Sequence, residues 1–359
     1  MYRDETAVSD LRETDSVVLY PTFAHPTPDG DGWVVQVHGC VFESTASSLS
    51  GRMLIALLGR AMRATKEELL TETFQERIFG FTVRRQGGRR IAVRIGDQIF
   101  RLTTRSQKNG QFFGETILTS EEMETLTLDF QLGEFPWTVV SEFPEHTDLP
   151  GSIRPIPGEG VSVISDIDDT VKHTQVATQR VMLNNTFLRE FETVPGISRL
   201  YQHWLLRGAV FHYVTSSPWQ LYGPLAQLFV EQGIPSGSFH MKSLRFRDPT
   251  VLQLFIARRW TKRKAIRDLM LRFPRRRFIL VGDSGEKDPE TYGDMARKFP
   301  DQIEKILIRD LSGKNSHPYR YMKAFRRLPD NVWQIFRDPE EIDPGLIDDC
   351  PGLSVTASP

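Results

Sequence analysis

The chain has 359 residues, 39% of them hydrophobic and 25% charged, with a net charge of −1. This balance fits a soluble globular protein of two domains and excludes a global pull toward nucleic acid or a membrane surface. No apolar run of about 18 residues is present, which excludes a membrane-spanning helix. Residues 1–16 are polar and acidic, and they read as a tail, neither a signal peptide nor an anchor. Cys40 and Cys350 are far apart and belong to no Cys-x-x-Cys or Cys/His cluster, so zinc is not expected. Without an export signal, a reducing cytoplasmic location is expected.

The first half reads as strands. Residues 34–37 are a short apolar run with the turn-rich Pro28-Asp29-Gly30-Asp31-Gly32 before it. Further strands are expected at 78–84, 90–95, 98–103, 115–118 and 125–132, punctuated by Gly87-Gly88 and Gly96-Asp97. Residues 53–70 instead carry apolar side chains at helical spacing. The sum predicts a small β-rich domain over 17–148, sandwich- or barrel-like, with one helix inserted.

A Pro- and Gly-rich stretch at 144–160 marks the boundary. Beyond it, strands at 161–165, 210–215, 238–241, 278–281 and 305–308 alternate with helices at 181–192, 197–206, 219–232, 262–273, 289–298 and 319–328. This alternation is the pattern of an α/β doubly wound parallel sheet over 149–343. Residues 344–359 read as a C-terminal tail.

The chemistry concentrates at the ends of these strands, where an α/β sheet binds ligands. Asp166-Ile167-Asp168-Asp169-Thr170 directly follows the first strand. Carboxylates packed this closely repel one another unless a divalent cation sits among them, and all-oxygen ligands suit magnesium. Asp166 can face a phosphorus atom as nucleophile, and Asp168 can serve as general acid and then base. Gly282-Asp283-Ser284-Gly285-Glu286-Lys287-Asp288 follows a second apolar strand, so Asp283 and Asp288 can complete a cation site with Asp166 and Asp168. An N-cap at Asp288, with Pro289 in the first turn, is compatible with that use. Thr215-Ser216-Ser217-Pro218 offers a hydroxyl and backbone N–H groups to a phosphate; Thr215 is first after its strand, Ser216 is beside it, and Ser217 reads as an N-cap. Lys262 is the preferred lysine to offset phosphate and carboxylate charge, ahead of Lys242.

In this order the motifs resemble those of haloacid dehalogenase phosphatases. Val163-Ile164-Ser165-Asp166-Ile167-Asp168-Asp169-Thr170-Val171-Lys172, Ser217-Pro218-Trp219-Gln220-Leu221 and Phe278-Ile279-Leu280-Val281-Gly282-Asp283-Ser284-Gly285-Glu286 are together similar to the actin-patch phosphatidate phosphatase family and its bacterial members, with the lipins more distant. The resemblance covers about 150–338. Tyr20-Pro21-Thr22-Phe23 and Asn109-Gly110-Gln111-Phe112 resemble the amino-terminal region found with this domain in bacteria.

The resemblance implies a haloacid dehalogenase-like fold and Mg2+-dependent hydrolysis of phosphatidic acid to diacylglycerol and phosphate. It makes Asp166 the nucleophile, Asp168 the acid/base, Thr215 the phosphate ligand, Lys262 the motif lysine, and Asp283 and Asp288 the metal pair. The short interval between Thr170 and Thr215 leaves no room for a large cap, which favours a bulky or surface-bound substrate. Access to a bilayer would be peripheral: the basic residues at 258–264 and 275–277 could meet anionic headgroups but read first as a solvated helix face and edge. The apolar residues of 53–70 are expected to pack on the β-rich domain and not to lie on a membrane. A soluble phosphomonoester as substrate, or a non-catalytic phosphatidate-binding module, are the alternatives.

Overall fold

Strands in the two halves meet different neighbours, and their sequences show it. The computed structural model describes residues 1–43, 49–129, 133–143, 150–175, 178–243, 260–311 and 317–348. Arg258, Arg259 and Cys350 lie outside them, as do 144–149 of the expected boundary. Among the described residues two compact units are distinguished: Met1–Leu54 with Phe81–Pro157, and Ile55–Gly80 with Gly158–Ser243 and the described residues after it.

In the first unit the strands are β1 (Tyr2–Arg3), β2 (Asp15–Leu19), β3 (Thr22–Pro26), β4 (Gly32–Glu43), β5 (Arg84–Arg85), β6 (Ala92–Ile95), β7 (Gln98–Arg101), β8 (Gln111–Thr119), β9 (Phe135–Val139) and β10 (Gly151–Pro155). Among the described residues they join one sheet, in the order β1-β7-β6-β9-β10-β3-β4-β2, with β5 and β8 also on β4. All pairs are antiparallel except β3 with β10. The 12-residue β4 makes this possible, because it pairs with β3 and β2 in turn as well as with β8. Val35, Val37, Val93, Phe100, Phe112, Trp137 and Ile153 form the core.

Several expectations for this half are corrected. Residues 1–16 are no tail: β1 pairs with β7, and Ala7, Ser9 and Leu11 are buried. The stretch at 78–84 falls mostly in helix α2 (Glu72–Thr82), because Phe74, Ile78 and Phe81 recur at helical spacing and all are buried. The stretch at 125–132 begins inside helix α3 (Ser120–Asp129). Its start is set by a capping box: Thr119 Oγ1 accepts from Glu122 N at 3.2 Å, and Thr119 N donates to Glu122 Oε2 at 2.8 Å. Helix α1 (Leu49–Met62) ends sooner than expected, and a separate short turn occupies Glu68–Leu70. Residues 55–80 group with the second unit.

That unit holds β11 (Val161–Ser165), β12 (Val210–Pro218), β13 (Gly237–Lys242), β14 (Arg277–Asp283), β15 (Ile303–Arg309) and β16 (Trp333–Phe336). They form a parallel sheet in the order β13-β12-β11-β14-β15-β16. Every residue of β11 is buried, as its mostly apolar sequence suits a strand covered on both faces. The helices are α4 (Gln179–Phe187), α5 (Ile197–Leu206), α6 (Tyr222–Glu231), α7 (Trp260–Arg272), α8 (Asp288–Lys298) and α9 (Pro318–Ala324). Chain direction across the sheet reverses between β11 and β14. The carboxyl ends of these two strands therefore flank the crevice of the doubly wound arrangement. The expected C-terminal tail starts later than 344, since Pro344–Ile347 form a helical turn with Ile347 buried.

Candidate active site

Asp166 is the first residue after β11, and its N–H donates to Val281 O of β14 at 2.9 Å. Asp169 turns the chain immediately, with a φ of +62°. Its carboxylate stabilises that uncommon conformation by accepting from the N–H groups of Thr174 and Gln175, each at 2.7 Å. Arg309 Nη1 donates to its carbonyl at 2.8 Å. This turn sends the side chains of Asp166 and Asp168 into two different environments.

Asp166 Oδ1 lies 2.8 Å from Lys262 Nζ, which also contacts Glu286 Oε2 at 2.7 Å and Asp288 Oδ1 at 2.9 Å. Asp283, at the end of β14, accepts from Gly285 N at 2.5 Å and Glu286 N at 3.2 Å through Oδ1. Asp288, at the start of α8, accepts from Asp283 N at 3.3 Å. Arg320 of α9 clamps this loop by donating to the carbonyls of Ser284 and Glu286 at 2.5 and 2.6 Å. Burial, with the charges of Asp288, Glu286 and Asp283, pushes the Asp166 carboxyl well above its ordinary range against the pull of Lys262. Burial and Asp288 do the same to Asp283, and burial raises Glu286. Burial works against the Lys262 ammonium, but Asp166, Asp288 and Glu286 hold its pKa well above the usual value.

Asp168 faces the other way. Its Oδ1 accepts from Lys172 Nζ at 2.7 Å and Thr174 Oγ1 at 2.8 Å. Its Oδ2 accepts from Thr215 Oγ1 at 3.1 Å and Ser217 Oγ at 2.7 Å. Burial alone would raise this carboxyl; Lys172 and the hydroxyls overcome that and hold it below the ordinary range. Lys172 is itself buried, 4.5 Å from the centroid of the Phe191 ring.

The structure thus brings Asp166, Lys262, Asp283 and Asp288 into one cluster, and joins Thr215 to Asp168. Ser216 lies alongside, its Oγ donating to Glu286 Oε2 at 3.2 Å. Lys262 takes the position expected of the lysine, while Lys242 ends β13 in register with Pro218. Sequence reasoning missed Glu286, Lys172 and Thr174, and read Ser217 as a cap when its hydroxyl binds Asp168. The signals available for two of these roles were a glutamate inside the second acidic loop and a lysine six residues after Asp166.

The donor set bears on the expected cation. One oxygen each of Asp166, Asp283 and Asp288 lie within 4.8 Å of one another, all buried. Asp283 Oδ2 is buried with no hydrogen-bond partner among the described residues. An orphaned carboxylate oxygen beside two others fits a hard divalent cation. Asp168 does not join that group, because both its oxygens are already engaged by Lys172, Thr174, Thr215 and Ser217.

Residues 161–310 match the family described as phosphatidate phosphatase APP1, catalytic domain. The chain is 30% identical over 238 residues to phosphatidate phosphatase APP1 of Saccharomyces cerevisiae, covering 64% of this chain and 40% of that protein. It is 28% identical over 208 residues to an uncharacterised protein of Schizosaccharomyces pombe, covering 57% of this chain and 31% of that protein. The chain therefore spans well under half the length of both relatives. The matched segment, 161–310, contains every residue of the cluster described above.

Proposed function

We propose that the protein is a magnesium-dependent, haloacid dehalogenase-type phosphatase that hydrolyses phosphatidic acid, or a closely related lipid phosphate, through an aspartyl-phosphate. The observation that carries the reading is the contact of Asp166 with Lys262 inside a buried carboxylate cluster at the crevice of the parallel sheet. A carboxylate with a fixed ammonium beside it is oriented to attack while the ammonium offsets charge on the phosphoryl oxygens.

In the first step an Asp166 oxygen forms a bond to phosphorus, the ester P–O bond breaks, and the leaving oxygen takes a proton from Asp168, which enters this step protonated although Lys172 and its hydroxyl partners favour the carboxylate. In the second, water gives a proton to Asp168 as it attacks phosphorus, releasing phosphate and the Asp166 carboxylate. The proton gained in the second step is the one delivered in the next turnover. Thr215, Ser217 and Lys172 orient Asp168 throughout. Asp166, Asp283 and Asp288 would hold the magnesium ion, which supplies positive charge next to the transferring group. The lipid substrate is taken from the similarity to the yeast phosphatidate phosphatase, and it agrees with a site that has no large insertion between Thr170 and Thr215.

The test is phosphate release from phosphatidic acid in mixed micelles beside a panel of soluble phosphate esters, with magnesium and with chelator. Preference for the lipid, lost in Asp166→Asn, is expected. Preference for a soluble ester would keep the chemistry and discard the lipid. Binding of phosphatidic acid with no release from any substrate would overturn the enzymatic reading.

A further inference from the structure

Helix α1 presents two unlike faces. Leu58 and Met62 are buried, and Arg180 Nε donates to the Met62 carbonyl at 3.1 Å, which fastens the end of the helix. On the opposite side Met53 is 67% exposed and Leu57, one turn on, 41% exposed. Arg52 and Arg60 flank them, and Arg63 and Lys66 follow, all four exposed. No acidic residue occurs from Leu49 to Lys66. Among the described residues none of these four cations has an ion-pair or hydrogen-bond partner.

The basic stretches weighed from sequence for bilayer contact behave differently. Lys262 is consumed in the active-site cluster, and Arg263 pairs with Asp294 at 3.2 Å. Arg275 pairs with Glu159 at 3.2 Å and Arg277 with Glu304 at 2.9 Å. Arg276 is buried, its Nε donating to Ser162 Oγ at 2.8 Å. The described cations of those stretches are thus largely neutralised within the fold, whereas those of α1 are not.

We infer that the outward face of α1 docks the protein on an anionic lipid bilayer. Cations alone would suit any polyanion, but exposed Met53 and Leu57 between them suit a surface with a hydrocarbon layer beneath its charge. Arginine stems lie along such an interface while their guanidinium groups stay with the headgroups. Docking holds the chain where a lipid phosphate is presented, so the inference rests on the lipid-phosphatase reading, although binding is measurable without turnover.

The experiment is flotation of the full chain with vesicles of phosphatidylcholine alone or mixed with phosphatidylglycerol, neither containing phosphatidic acid. Flotation only with the anionic vesicles, weakened by salt, is expected. Each removed cation costs about 5-fold in affinity, so Arg52→Gln/Arg60→Gln/Arg63→Gln loses roughly 100-fold. Leu57→Asp, which leaves every cation in place, loses roughly 10-fold. Circular dichroism and thermal melting establish that both variants fold. Equal flotation of wild type and the triple variant, or none by the wild type, overturns the proposal. Retention of RNA that Leu57→Asp leaves intact, without vesicle binding, also overturns it and assigns the face to nucleic acid. Vesicle binding by a protein that releases phosphate from no lipid would refute the substrate and leave the docking face standing.

Discussion

One added methyl group at Gly282 tests the site more sharply than removal of any charged residue. Gly282 lies inside β14, and its φ is outside the left-handed region, so the backbone accepts alanine. The cost is steric. A Cβ there would lie 2.4 Å from Asp288 Oδ2, 2.9 Å from Asp288 Cβ and 2.8 Å from Tyr292 Cε2. None of these can retreat freely: Asp288 is tied to Lys262 and to the Asp283 N–H, Pro289 follows it, and the buried Tyr292 hydroxyl donates to Val281 O at 3.0 Å. Overpacking of this kind costs about 1–3 kcal/mol, read from urea unfolding. A carboxylate displaced by about an ångström also costs on the order of 100-fold in turnover. Gly282→Ala should therefore unfold at lower urea, lose its response to magnesium, and release phosphate far more slowly. Gly223→Ala is the control for open space: it adds the same methyl at an exposed position of α6 with nothing within 4 Å, and because Pro224 follows it no gain in stability is expected, with the magnesium response and phosphate release unchanged. A Gly282→Ala protein with wild-type stability and an intact magnesium response would refute the packing argument.

Lys172→Met leaves Asp168 buried without its counter-charge, and a loss of about 3–5 kcal/mol in unfolding free energy is expected; a loss under about 1 kcal/mol would show that the pair is not a buried ion pair in solution. Saturating magnesium, at about 100 times its dissociation constant, should raise wild-type stability by about 2.7 kcal/mol in thermal melts. Asp283→Asn should abolish that gain, and an equal gain in both proteins would discard the site. His240 provides a pH signature remote from the chemistry: burial, with Arg272 nearby, lowers its pKa to about 4. The folded value lies below the unfolded one, so its contribution is complete above about pH 6.5 and lost as pH falls toward 4. That amounts to about 1–3 kcal/mol, which His240→Phe should remove from the acid limb of the stability profile.

The catalytic half was legible because its signals are local. A strand covered on both faces is mostly apolar, and the charged or hydroxyl residues at its carboxyl end stand at the crevice; Asp166, Thr215 and Asp283 were found that way. Lys262 was found by its place at the head of the helix before β14 and by motif order, since nothing in Lys262-Arg263-Lys264 itself distinguishes the buried ammonium from its neighbours. Lys172 and Ser217 escaped because their partners depend on the left-handed turn at Asp169 and on β12 continuing to Pro218, neither of which is periodic. In the first half, β-branched and aromatic residues in 78–84 read as a strand, while burial of Phe74, Ile78 and Phe81 along one face decided for helix.

Two aspartates separated by one residue are thus given opposite settings by their surroundings. Asp166 shares one ammonium with Glu286, Asp288 and Asp283, so fully ionised the group carries four negative charges against one positive. Asp168 has the Lys172 ammonium as its counter-charge, one of the four hydrogen-bond donors on its two oxygens. These environments keep Asp168 ionised and make Asp166 the harder of the two to ionise, so Asp166 needs the positive charge of Lys262 and of a cation to attack as a carboxylate. The carboxylate of Asp168 is balanced and held ionised, which suits the proton-accepting step proposed for it; to donate, it must first take up a proton against the pull of Lys172. The excess negative charge is confined to the side of Asp166, where an incoming cation would relieve it, and the orphaned oxygen of Asp283 lies on that same side. Lys262 touches Asp166 but not the partners of Asp168. Removing it should therefore unbalance the nucleophile's side alone, whereas removing Lys172 should unbalance only the acid/base.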